Sequence, residues 1–172
     1  MKKIITIGLI LGLTGCSLFT SKVEANTNIN GSVESRCSIN TDTAGYYGNP
    51  NAYTLNTTAS DGGQKPILRL DVSLASAYIA AISYPTSFSS SPSLSDSVAF
   101  TGGVAVVQVS ASGMDGYQAA STVTNSGSTR NYNLSTAGST WFEVTSQAVY
   151  GGNKAFPSGS YATTVVAECI AQ

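Results

Sequence analysis

The chain has 172 residues, of which 10% are charged, carries no histidine, and has a formal net charge of −1. Without histidine there is no Ser-His-Asp or Cys-His catalytic arrangement and no histidine-containing zinc site. Beyond residue 25 its cations, Arg36, Lys65, Arg69, Arg130 and Lys154, are scattered rather than clustered, so nucleic acid is not an expected partner.

One domain suits this length. Ser, Thr, Asn, Gly and Ala dominate, with nine Tyr and a single Trp, Trp141; this is the look of an exported β protein. The N-terminus reads as a targeting segment: Met1-Lys2-Lys3 is basic, and residues 4–13 are an apolar run too short to span a bilayer comfortably. Two endings are open. A small-residue site at Val23-Glu24-Ala25 makes residues 1–25 a signal peptide and 26–172 the domain. Alternatively, Leu13-Thr14-Gly15-Cys16 is a lipobox, with the signal ending at Gly15 and Cys16 lipidated. Cys37 and Cys169 then remain, an even number in an exported chain, so a disulfide is the default. A reactive or metal-binding thiol pair has no histidine or basic cluster to support it.

Residues 26–39 alternate, with Thr27, Ile29, Gly31, Val33, Cys37 and Ile39 on one face, and read as a first strand. Residues 41–51 are turn-rich. Residues 52–58 are a short strand, Asp61-Gly62-Gly63 a turn, and residues 67–74 a strand with Leu68, Leu70, Val72 and Leu74 inward. For residues 75–82 a strand through Tyr78 and Ile82 is favoured over a helical turn. Residues 85–97 form a Ser/Pro-rich loop. Val98-Ala99-Phe100 lead into a turn or bulge at Gly102-Gly103, and the apolar run 104–109 reads as a central strand. Asp115-Gly116 is a hairpin signal, followed by strands over 117–124, 130–135 and 140–150, with Trp141, Phe142, Val144 and Tyr150 assigned to the core. The last stretch, 159–172, is one long strand. Gly159, Tyr161, Thr163, Val165, Ala167, Cys169 and Ala171 share one face of it, and it needs a pairing partner. Eight or nine short strands without a long helix argue for an all-β, Ig-like antiparallel sandwich.

Catalytic apparatus is not legible. The carboxylates Glu34, Asp42, Asp61, Asp71, Asp96, Asp115, Glu143 and Glu168 stand singly, and the glycines lack a phosphate-loop spacing. Clustered Asp for calcium is missing. The expectation is a structural or binding protein that is not an enzyme and uses no cofactor and no metal.

The two ends together resemble the subunits of chaperone–usher fimbriae. Residues 29–39, Ile-Asn-Gly-Ser-Val-Glu-Ser-Arg-Cys-Ser-Ile, are similar to the glycine–valine–cysteine opening of many such subunits. Gly159 stands fourteenth from the end, followed by an alternating set like the family's chaperone-binding strand. The chain differs from the family at Ala171, where Tyr or Phe is usual, and in carrying its second cysteine in the last strand. The resemblance implies an incomplete sandwich completed by a donor strand. Residues 26–35 are the donor segment (Thr27, Ile29, Gly31 and Val33 inserted), and Gly159, Tyr161, Thr163, Val165, Ala167 and Ala171 line the acceptor groove. Implied partners are a periplasmic chaperone, an outer-membrane usher, neighbouring subunits and a host receptor; implied localisation is the periplasm, then the surface fimbrium. The alternative from a different class is a lipidated outer-membrane or surface binding module, complete in itself, using Tyr46, Tyr47, Tyr53 and Tyr117 to bind a carbohydrate or a protein.

Overall fold

The computed structural model describes residues 36–73, 78–114 and 123–172. Residues 1–35, with Cys16, the signal endings, Glu34 and the donor residues Thr27, Ile29, Gly31 and Val33, lie outside them. So do Leu74 and Asp115-Gly116-Tyr117. Among the described residues are ten strands: β1 (Cys37–Thr43), β2 (Gly48–Asn51), β3 (Thr54–Asn56), β4 (Ile67–Val72), β5 (Tyr78–Ser83), β6 (Val98–Val109), β7 (Val123–Ser126), β8 (Thr129–Leu134), β9 (Gly138–Tyr150) and β10 (Val166–Ala171). All pairings are antiparallel, and they form two sheets in an Ig-like sandwich.

β9 organises the first sheet. β6 runs along its whole length on one edge, so β4 and β3 share the other, with β1 outside β4 and β2 outside β3. The second sheet runs β10, β5, β8, β7. Strict alternation places Phe142, Val144 and Ala148 of β9, and Leu68, Leu70 and Val72 of β4, on the inner face. They meet Ala80, Ile82, Tyr132 and Leu134 of the second sheet. Tyr132 packs against Phe142 with ring centroids 4.8 Å apart, and its hydroxyl donates to the Val104 carbonyl of β6 at 2.9 Å. That bond ties the two sheets through the core and satisfies a buried hydroxyl.

Several elements differ from the sequence reading. β1 extends to Thr43 and the 41–51 stretch contains β2, because Gly48 fits where any side chain would strike the backbone of Asp61 and Gly62. β6 continues straight through Gly102-Gly103. Gly102 is required there because a Cβ would lie 2.5 Å from the Thr145 carbonyl and 2.8 Å from the Tyr84 ring. β6 is also not central: among the described residues it pairs with β9 alone, and a register shift between Val106 and Gln108 leaves Val107 exposed. Trp141 faces outward, the parity opposite to Phe142. Its indole N–H donates to Asp42 at 3.3 Å and Arg69 lies 6.0 Å from its ring.

The largest difference is at the C-terminal stretch. Only Val166–Ala171 is ladder strand, paired with β5. Residues 159–165 remain extended, but β5 ends at Ser83 and Pro85 follows, so the ladder cannot continue. One isolated bridge, Ser90 to Ala162, holds them.

Candidate functional site

The edges of the two sheets meet along one side. Cys37, which opens β1, is disulfide-bonded to Cys169 of β10, with Cα atoms 6.4 Å apart. From that closed end β1 and the C-terminal stretch run in opposite directions along a shared groove. Thr41, Ala44, Tyr46 and Tyr47 form one side. Gly159, Tyr161, Ala162, Thr163 and Val165 form the other, and Leu55, Thr57, Pro66 and Leu68 line the interior. The cavity is about 570 Å³.

The alternation expected for the last strand holds. Tyr161, Thr163, Val165, Ala167 and Cys169 are half-buried, while Ala162, Thr164, Val166, Glu168 and Ile170 are exposed. Gly159, Tyr161, Thr163 and Val165 line the groove, and so does Ala162 of the opposite parity. Ala167 packs against the core cluster instead. Ala171 does not line the groove: it pairs with Tyr78, beyond the disulfide, and is exposed. On the opposite edge, Ile39 stands across from Leu70, which is fully buried, and so shares its inward face; it is nevertheless 37% exposed. An inward apolar side chain left wet marks space beside β1 that no strand of the described residues fills.

The backbone carries the same message. Among the described residues β1 is paired only with β4, and Thr163, Thr164 and Val165 make no backbone hydrogen bond. Two unpaired edges thus face one cavity of mixed polar and apolar lining.

The floor is polar but satisfied. Ser146 of β9 donates its N–H to Thr57 Oγ1 at 3.0 Å and accepts from the Thr57 N–H at 3.0 Å. Its hydroxyl lies 2.7 Å from the Tyr47 hydroxyl, which also lies 3.2 Å from Thr163 Oγ1. Behind the 159–165 wall sits an aromatic cluster absent from the sequence reading. Phe88 meets Phe100 at 4.9 Å, Tyr161 at 5.1 Å and Phe156 at 6.1 Å, and Tyr47 at 6.5 Å. Tyr150 stacks on Phe156 at 5.1 Å, and the Tyr161 hydroxyl donates to the Pro157 carbonyl at 2.7 Å. Burial raises the Tyr161 phenol above its ordinary pKa, aided by Tyr150. The signal for this cluster was Phe88, a lone aromatic in a loop of Ser and Pro. Gly159 turns the chain into the wall with φ of 150°, and a Cβ there would lie 2.5 Å from Pro92 Cγ.

Of the tyrosines named for a binding patch, Tyr46 and Tyr47 both line the groove, and Tyr117 lies outside the described residues. Tyr46 is 58% exposed, Tyr47 points into the groove, and Tyr53 is half-buried with its carbonyl bonded to the Tyr150 N–H. No ring contact joins Tyr46 to Tyr53 among the described residues. Among the described residues no group of His, Cys, Asp or Glu could hold a metal ion, and no helix is long and apolar enough to cross a membrane.

No family model matches the chain, and neither a curated protein nor a solved structure matches it.

Proposed function

We propose that the protein is a structural subunit of a surface fimbria, exported through the periplasm and assembled by donor-strand exchange. The observation that carries this reading is the groove of mixed polar and apolar lining between two unpaired edges, with Gly159, Tyr161, Ala162, Thr163 and Val165 along one side. A bound strand would pair with the open backbone edges and cover Ile39. The groove wall spans seven residues, about 20 Å at roughly 3.3 Å per step. That matches the alternating stretch Thr27, Ile29, Gly31 and Val33, supplied by a second copy of the chain. Burying Ile29 and Val33 would contribute about 1.5–3 kcal/mol each before ordering costs. A periplasmic chaperone would occupy the groove first, and an outer-membrane usher would carry the exchange. The resemblance of the two ends to chaperone–usher subunits supports the same assignment, with no catalytic role for any residue.

The test is deletion of residues 26–33. The shortened subunit should fold in the presence of the chaperone but fail to join a fibre, and a synthetic peptide of residues 26–35 should bind the purified full-length subunit. Normal fibres from the deleted chain would overturn the assignment.

A further inference from the structure

The 159–165 wall poses a mechanical problem. A groove can receive a strand only if both sides stand at the right separation, yet this side has left the sheet at Val166 and keeps one bridge, at Ala162. At the closed end the disulfide sets the separation. At the other end something else must. The aromatic cluster supports the wall from behind, where Tyr161 meets Phe88 and Phe156 and these in turn meet Phe100 of β6 and Tyr150 of β9. The hydrogen-bonded link between the wall and the first sheet inside the groove is made by Tyr47. Its ring meets Phe88 edge-on at 80°, and its hydroxyl stands between Ser146 Oγ of β9, at 2.7 Å, and Thr163 Oγ1 of the wall, at 3.2 Å.

We propose that Tyr47 is a positioning residue for the groove: its hydroxyl, bridging Ser146 to Thr163, holds the 159–165 wall in the strand-accepting position. This rests on the strand-accepting reading above. A hydroxyl suits the task because it donates to one partner while accepting from the other. Ser146 is 4% exposed and is itself fixed by Thr57, so the bridge is anchored on the rigid sheet and the wall is the part being held. Without it the wall samples positions that cannot pair with an incoming strand. The apparent affinity then falls by the competent fraction, and the loss lies in association, because the bound state has the strand itself to hold the wall.

The experiment uses the full-length subunit and a fluorescent peptide of residues 26–35, with Tyr47→Phe, Thr163→Val and the double variant. Tyr47→Phe keeps the ring against Phe88 and removes only the hydroxyl. Each single variant should slow association about tenfold with dissociation unchanged, and the double variant should be no slower than either single, because both remove one bridge. Amide exchange supplies a second readout without any peptide. The N–H groups of Ala162 and Ser89, bonded across the bridge at 2.8 Å each, should exchange faster in all three variants by the same factor. Unchanged exchange, or single-variant effects that add in the double variant, would overturn the positioning role. If the wild-type subunit fails to bind the peptide while exchange behaves as expected, the strand-accepting reading falls and the bridge stands.

Discussion

Replacing both bridged cysteines by alanine, Cys37→Ala with Cys169→Ala, tests the closed end of the groove. The two residues are 132 positions apart in sequence, so the bridge closes a loop that includes nearly all of the sandwich. On the chain-entropy relation a loop of that size restricts the unfolded chain by about 5 kcal/mol. The Cα separation of 6.4 Å lies within the range a disulfide spans without moving the backbone. Folded contacts should survive the change, since β1 keeps its ladder with β4 and β10 its ladder with β5. A loss of about 3–5 kcal/mol is therefore expected, and at roughly 3 °C per kcal/mol for a domain of this size the midpoint should drop by about 10–15 °C. Guanidinium unfolding gives the free energy and also the slope. The slope should rise in the variant, because the uncrosslinked unfolded chain exposes more surface. A loss under about 1 kcal/mol with an unchanged slope would refute the claim that the bridge acts by restricting the unfolded chain.

Tyr132→Phe leaves the Val104 carbonyl without its donor inside the core and should cost about 1–3 kcal/mol in denaturant unfolding. The same residue gives a pH prediction. Burial raises its phenol pKa above the ordinary value near 10, against the smaller opposing effect of Arg130. The folded protein thus holds this proton to higher pH than the unfolded chain does. Its contribution is fully present below about pH 10 and is lost as pH rises through the folded pKa, so the alkaline fall in stability should be shallower in Tyr132→Phe. Phe142→Ala removes a fully buried ring at the centre of β9 and should cost about 3–5 kcal/mol, measured by thermal unfolding. Gly159→Ala must accommodate both φ of 150° and Pro92. It should cost about 1–3 kcal/mol and weaken binding of the 26–35 peptide, while Gly113→Ala, with open space around its Cβ, should do neither.

Much of the fold was legible in the sequence because period-two alternation is a local property. Leu68, Leu70 and Val72 went inward as read, as did Phe142 and Val144, and the half-buried and exposed sets of the terminal stretch separated as their parity required. Cys37 and Cys169 paired as their even number implied. Where a local signal had two meanings, the reading went astray. Gly102-Gly103 reads in sequence as a turn or a bulge, and only the approach of Thr145 and Tyr84 shows why a continuous strand needs glycine at Gly102. Trp141 was grouped with Phe142, Val144 and Tyr150 in the core, but strand alternation puts it on the face opposite to Phe142 and Val144.

The sequence carries, in its local alternation and cysteine count, the sandwich, its inward faces, its disulfide and the alternating exposure of residues 161–170. It could not determine where the last strand leaves its sheet. That depends on the end of β5 at Ser83, a residue far away in the chain, and on a loop whose Phe88 supplies the support the ladder no longer gives. Nor could it determine that Tyr47 turns inward to meet Ser146 and Thr163. The groove is a space between two edges, and its width is set by contacts from both sheets at once. The terminal strand is thus two things: a paired strand from Val166, and before it a groove wall held by aromatic rings, one isolated bridge and one tyrosine hydroxyl.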